Sequence, residues 1–139
     1  MSLRYVAHRR VEFRDTDAAG IMHFSAFFTY MEAAEHELLR SVGLSVLTRD
    51  ADGPISWPRV SVHCDFRSAV RFEDLLTIEV AVEKLGQKSV TYSFAFQCAG
   101  RPVATGSMTA VCCRLNPDGT IASIAIPDDI RATLEERRR

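Results

Sequence analysis

The sequence predicts an α+β domain in which a curved antiparallel sheet wraps one long central helix. Three observations carry this. Phe24, Phe27, Phe28, Met31, Glu35, Leu38 and Val42 recur at spacings of three and four, the signature of a helix with one apolar face. From Trp57 to Leu115 the chain instead alternates apolar and polar residues in several runs, each with one apolar face. The links between these runs are short, which favours antiparallel hairpins. A sheet with one apolar face must bury it, and the helix offers the matching surface.

The elements follow in order. Tyr5 to Arg14 reads as a first strand, with Val11 and Phe13 alternating with Glu12 and Arg14. An acidic turn, Asp15 to Gly20, comes next. The helix is expected from about Met22 to Val42, with Gly43 placed to terminate it. Its length of roughly 28 Å, at about 1.5 Å per residue, makes it a central element. Leu44 to Pro58 reads as a connecting segment containing the turn-forming Asp50-Ala51-Asp52-Gly53-Pro54, free to rim a substrate entrance.

Four strand runs follow. Val60, Val62, Cys64 and Phe66 mark the first; Leu76, Ile78, Val80 and Val82 the second. Gly86-Gln87 interrupts before Val90, Tyr92, Phe94, Phe96 and Cys98. After the turn Ala99 to Pro102, a long strand from Val103 to Leu115 contains Gly106, where backbone and helix can approach closely. Asn116-Pro117-Asp118-Gly119 is a further turn. Ile121 to Ile126 reads as a short strand or an extended closing segment, and Asp128 to Arg137 as a short terminal helix.

The 139 residues fit one domain, 1–139, with one core. Lys plus Arg total 17 against 18 Asp plus Glu, which leaves no electrostatic footprint for nucleic acid or a membrane surface. No apolar run reaches membrane-spanning length, and no signal-peptide segment opens the chain. Arg137-Arg138-Arg139 reads as a solvated tail. None of the four cysteines forms a CxxC pair, so free buried thiols in the cytoplasm are expected. No metal-ligand pattern is present. His36 lies between Glu35 and Glu37, but neighbours on a helix do not share a face.

Chemistry concentrates in the turn. Asp15 and Asp17 flank Thr16 just before the helix, whose first N–H groups lack partners and carry partial positive charge. Aspartate and threonine are also ordinary helix caps, so the chemistry alone leaves a structural and a catalytic reading open. Two aspartates exceed what one cap needs, and Gly20 lets the backbone turn tightly or approach a ligand.

The run VEFRDTDAAGIMHF, followed by an amphipathic helix with Glu-Ala-Ala and ending LLRSVGL, resembles the 4-hydroxybenzoyl-CoA thioesterase family of hotdog-fold acyl-CoA thioesterases. FRSAVRFEDLLTIEV (66–80) is similar to that family's second strand pair, and KLGQKSVTYSF (84–94) to its following hairpin. The resemblance implies Asp17 as the catalytic carboxylate, acting as nucleophile or general base. It implies a thioester-polarising site of backbone N–H groups at the helix start, around Gly20, His23 and Phe24. Lys88 and Ser89 resemble positions that contact the coenzyme A nucleotide. It further implies a homodimer or homotetramer and no cofactor, coenzyme A being part of the substrate. The chain departs from the family where His23 precedes Phe24 and where Ala26-Phe27 stands in place of Asn-Tyr. Those departures imply a more apolar pocket and an acyl or aryl-acyl group. Asp is ionised near neutral pH at its ordinary pKa of about 3.9, and a carboxylate suffices against a thioester. The G-x-S-x-G elbow of serine hydrolases and the D-x-N-P-x-H hydratase motif are both missing. The alternative on the same fold is a non-catalytic acyl-CoA or acyl-carrier-binding module.

Overall fold

A computed structural model describes residues 4–136; Arg137-Arg138-Arg139 and the first three residues lie outside the described residues. Five strands form the main sheet in the order β1-β5-β6-β7-β4: β1 Arg4–Arg10, β5 Leu75–Leu85, β6 Ser89–Cys98, β7 Arg101–Val111 and β4 Arg59–Phe66. Every pairing is antiparallel. Helix α1, Ala26–Ser41, packs across β1, β5 and β4. The expected α+β hotdog arrangement is therefore the observed one.

The alternating runs became strands because each has one face to hide. Leu76, Ile78, Val80 and Val82 of β5 are fully buried, as are Val90, Tyr92, Phe94 and Phe96 of β6. Ala99 (φ 50°) and Gly100 (φ 79°) form the two-residue link between β6 and β7, with both residues in the left-handed conformation that matches hairpin twist. Gly106 sits where anticipated. A Cβ there would overlap Met31 Cε of α1 and lie 2.8 Å from the His63 carbonyl oxygen. At the far end of α1 the Leu44 N–H donates to Leu39 O (2.8 Å) and Gly43 N–H to Arg40 O (3.1 Å), with Gly43 at φ 80°. This paired closure satisfies two orphan carbonyls of the last turn.

Several boundaries differ from expectation. The first strand ends at Arg10, and Phe13–Asp15 is one turn of 3₁₀ helix. Phe13 is exposed and meets Phe72 edge-on at 5.7 Å. Helix α1 starts at Ala26, four residues late, because Met22 pairs in an extended bridge with Thr16 and donates to Val70 O at 2.8 Å. Phe24 therefore precedes the helix and is 61% exposed. The segment expected to be a plain connection folds as a hairpin of β2, Thr48–Asp50, and β3, Gly53–Ser56. The expected last long strand breaks at Cys112 into β7 and β8, Cys113–Leu115. Strand β8 joins β3 and β9, Ile121–Ser123, in a second sheet ordered β2-β3-β8-β9. Arg114 clamps that hairpin, donating to both Asp50 carboxylate oxygens (2.6 and 2.9 Å) and to Gly53 O. Its guanidinium holds the Asp50 carboxyl pKa down to about 2. Helix α2 covers Asp128–Glu136, and the four cysteines are free thiols.

Strand β4 alternates as read, yet its apolar side is not buried. Val60 is 62% exposed, and Val62 and Phe66 are exposed too. The strand is a sheet edge paired only to β7, and α1 reaches little of it.

Candidate active site

The acidic turn is a small hairpin. Asp17 N–H donates to Ile21 O (2.9 Å) and Gly20 N–H to Asp17 O (2.9 Å), with Gly20 at φ 80°. Only glycine takes that conformation without strain, so the chain can reverse in so few residues. The two aspartates then have different surroundings. Asp15 faces the helix: Tyr30 of α1 donates its hydroxyl to Asp15 Oδ2 at 2.7 Å and accepts the Glu12 N–H at 3.3 Å. Burial, then the bond to Asp15, pushes the Tyr30 phenol up to about 12, so it stays a donor. The Asp15 carbonyl in turn accepts the His23 N–H at 2.8 Å. Asp15 fixes the turn to the helix.

Asp17 is half-buried. Its Oδ1 accepts the Ala19 N–H at 2.8 Å, and among the described residues Oδ2 has no hydrogen bond. The side chain lines a cavity of about 340 Å³ shared with Met22, Phe24, Phe27, Phe66 and the wall from Arg67 to Val70. Phe27 packs edge-on against Phe66 (5.1 Å) and Phe96 (5.2 Å), making an apolar floor. The wall is held by Arg101, which donates to Ser68 Oγ (2.6 Å) and Ala69 O (3.1 Å).

The amides before α1 differ in the same way. Those of His23, Ser25 and Ala26 are engaged with Asp15 O, the His23 ring and His23 O respectively. The Phe24 N–H has no acceptor among the described residues. His23 stacks on Phe24 at 4.6 Å and its Nδ1 lies 2.8 Å from Ser25 Oγ, so its ring organises the approach to the helix. Gly20 shapes the turn, and its carbonyl lies 3.5 Å from Arg71 Nη1.

Asp17 and Phe24 thus share one cavity. Gly20 and His23 support it from behind, and the His23 amide is not open to a ligand. Lys88 and Ser89 are elsewhere. Ser89 opens β6, whereas Phe96, which borders the cavity floor, lies near its other end. That stretch of strand spans roughly 23 Å at about 3.3 Å per residue. Within one chain these two residues and Asp17 are not brought together. Tyr30 and Arg101 were not singled out from the sequence. A phenol on a buried helix stripe needs a hydrogen-bond partner, and that signal was available for Tyr30; Arg101 gave none.

A family model described as Thioesterase-like superfamily matches residues 11–134. A 1,4-dihydroxy-2-naphthoyl-CoA hydrolase from a Synechococcus strain is 30% identical, over 91% of this chain and 87% of its own length. Among solved structures, a gentisyl-coenzyme A thioesterase is 29% identical with a TM-score of 0.81, covering 94% of this chain and 99% of its own. A 4-hydroxybenzoyl-CoA thioesterase crystallised with 4-hydroxybenzoyl-CoA has the same fold: TM-score 0.82 over 96% and 99% of the two chains, at 19% identity.

Proposed function

We propose that this chain, which belongs to the thioesterase-like superfamily and is a thioester hydrolase, releases free coenzyme A from an acyl- or aryl-acyl-coenzyme A. The observation that carries this reading is the Asp17 carboxylate: one oxygen anchored, the other uncommitted, at an apolar cavity that Phe24, whose N–H has no acceptor among the described residues, also lines. The free oxygen attacks the thioester carbonyl or takes a proton from a water that does. The Phe24 N–H stabilises the negative charge that develops on the carbonyl oxygen, a contribution of the order of 10²–10³ in rate for one such donor. The C–S bond breaks and the thiolate leaves as coenzyme A, taking up a proton. On the general-base route water's oxygen enters the carboxylic acid directly; on the nucleophilic route water then hydrolyses the acyl–Asp17 anhydride, which frees the acid and regenerates the carboxylate. No cofactor is required for that balance. The aromatic floor of Phe27 and Phe66, with Phe96 packed behind Phe27, supports an apolar or aromatic acyl group. The relatives named above act on hydroxyaryl thioesters, which places such substrates first on the panel to be tested.

The test is thiol release, followed with a thiol-reactive dye across acyl- and aryl-acyl-CoA substrates. Asp17→Asn keeps the fold and lowers kcat by about 10²–10⁴, the range for losing an acid–base group. Near wild-type turnover in that variant overturns the assignment. Saturable acyl-CoA binding with no thiol released by the wild type would instead identify a binding module.

The uncovered face of β4 supports a homo-oligomer, because an apolar sheet edge left in water invites pairing. In such an assembly Lys88 and Ser89 serve the Asp17 cavity of a second copy. A dimeric or tetrameric mass in solution, with Lys88→Ala raising KM at unchanged kcat, is the expected result. A monomer with wild-type KM in the variant removes this part. No helix among the described residues is long and apolar enough to cross a membrane, and free thiols fit a cytoplasmic location.

A further inference from the structure

The molecule has a second cavity, of about 300 Å³, at the opposite end of α1. It shares no lining residue with the Asp17 cavity. Leu39, Trp57, Ile130 and Leu134 form apolar walls, and the loop from Leu44 to Thr48 closes one side. Two deeply buried polar side chains face this space. Glu35 is 1% exposed; Arg59 donates to both its oxygens (2.9 and 2.6 Å), which leaves lone pairs on each. Tyr92 is buried, yet its hydroxyl makes no hydrogen bond with any described residue. The hydroxyl is not sealed in the core: it opens to the cavity and can donate to whatever occupies that space. Burial, reinforced by the nearby Glu35 charge, raises the Tyr92 pKa, so the phenol remains a donor.

The polar pair defines the occupant. Glu35 accepts only, and Tyr92 is free to donate. A hydroxyl does both with a single atom, giving its proton to Glu35 and accepting from Tyr92. Asp129, also on the wall, adds a second carboxylate and disfavours an anion. The volume is at the lower end for a ligand site and suits one ring. We propose that this cavity is a second binding site, for a small neutral hydroxylated ring compound, separate from the hydrolytic site. The inference does not rest on the proposed function.

Trp57 is the only tryptophan in the chain and lines the cavity, so its fluorescence and its single indole N–H resonance report occupancy directly. The whole chain is titrated with benzyl alcohol and with toluene, which keeps the ring and lacks the hydroxyl. Benzyl alcohol gives a saturable change, with toluene about tenfold weaker, as the loss of a buried hydrogen-bonded group implies. Tyr92→Phe lowers benzyl alcohol to the level of toluene. Val46→Phe, which fills the space, abolishes both responses. Asp17→Asn leaves both unchanged while thiol release falls. The proposal is overturned by the absence of a saturable response in the wild type, by equal affinity for the two probes, or by loss of the response in Asp17→Asn. Should Tyr92→Phe fail to fold, the comparison of the two probes on the wild type decides.

Discussion

Replacing Arg59 with methionine isolates the ion pair that holds the buried carboxylate of Glu35. Arg59 reaches from edge strand β4 to α1 and holds Glu35 with two short bonds, plus exposed Glu32 at 3.2 Å. Burial raises the Glu35 carboxyl pKa; Arg59 opposes this by hydrogen bond and charge, with His36 adding a weaker pull. Arg59→Met leaves Glu35 buried and unpaired, which costs about 3–5 kcal/mol for a broken buried pair. Part of the Arg59 side chain reaches solvent, so water can partly replace it and the lower end applies, about 3 kcal/mol. With a urea m-value of about 2 kcal/mol/M, the unfolding midpoint falls by about 1.5 M. The loss depends on pH. Without Arg59 the folded-state pKa of Glu35 rises further above its unfolded value. Between those two values the folded state binds more protons, so stability recovers as pH falls. The penalty at pH 8 therefore exceeds that at pH 5. The double variant Glu35→Met/Arg59→Met removes both charges and returns to within about 1 kcal/mol of the wild type. A single variant costing under about 1 kcal/mol, or a double variant no better than the single one, refutes this account of the helix–edge contact.

Two further changes probe the frame of the site. Tyr30→Phe removes the hydroxyl that ties Asp15 to α1 and costs about 1–3 kcal/mol, read by urea unfolding. Because the folded Tyr30 pKa is about 12, against an ordinary value of 10.0, its stabilisation is fully present below pH 10 and is lost as pH rises through 12. The stability difference between wild type and variant should shrink across that window; a constant difference contradicts the assigned bond. Gly106→Ala forces Met31 and the His63 carbonyl apart and costs about 1–3 kcal/mol, a melting-temperature drop checked by calorimetry. An unchanged melting temperature would mean that α1 does not seat as closely as described.

Period-two strands were the most legible part of the sequence because their burial is decided by a local alternation. The runs Leu76 to Val82 and Val90 to Phe96 keep one face dry throughout. Gly43 and Gly106 were legible for a related reason: each answers a steric demand that few other residues meet. The start of α1 was misread because Phe24 stands three residues before Phe27, the helical interval, although the bridge between Thr16 and Met22 holds the chain extended there. That bridge is a pairing choice, and spacing does not encode it. The second sheet was missed because the strands of the β2–β3 hairpin have three and four residues, too few for a periodic signal, and because the break at Cys112 leaves no mark in the alternation. On β4 the alternation was right and the burial wrong, since a single chain lacks the surface that would cover Val60, Val62 and Phe66. At the candidate site, the motif pointed to Asp17 and the helix approach, which line one cavity. It did not say which amide stays open, because that depends on Asp15 O taking the His23 N–H.

On the proposed function, the two aspartates of the motif divide two tasks, holding the turn and reacting, that conflict in a single carboxylate. A group that anchors a loop must satisfy its lone pairs within the fold, and the stronger those bonds, the less basic and less accessible it becomes. Asp15 is committed in this way, through its side chain to Tyr30 and through its carbonyl to the His23 amide. The second bond also occupies the His23 N–H, and the next amide, that of Phe24, is left without an acceptor among the described residues. Asp17 needs only to be oriented, and a single bond from Ala19, two residues on, does that while leaving Oδ2 uncommitted. Gly20 makes the division possible, since its left-handed conformation closes the turn tightly enough for Asp17 and Phe24 to line the same cavity. Asp15 and Asp17 thus differ by what their neighbours leave unsatisfied, not by residue type.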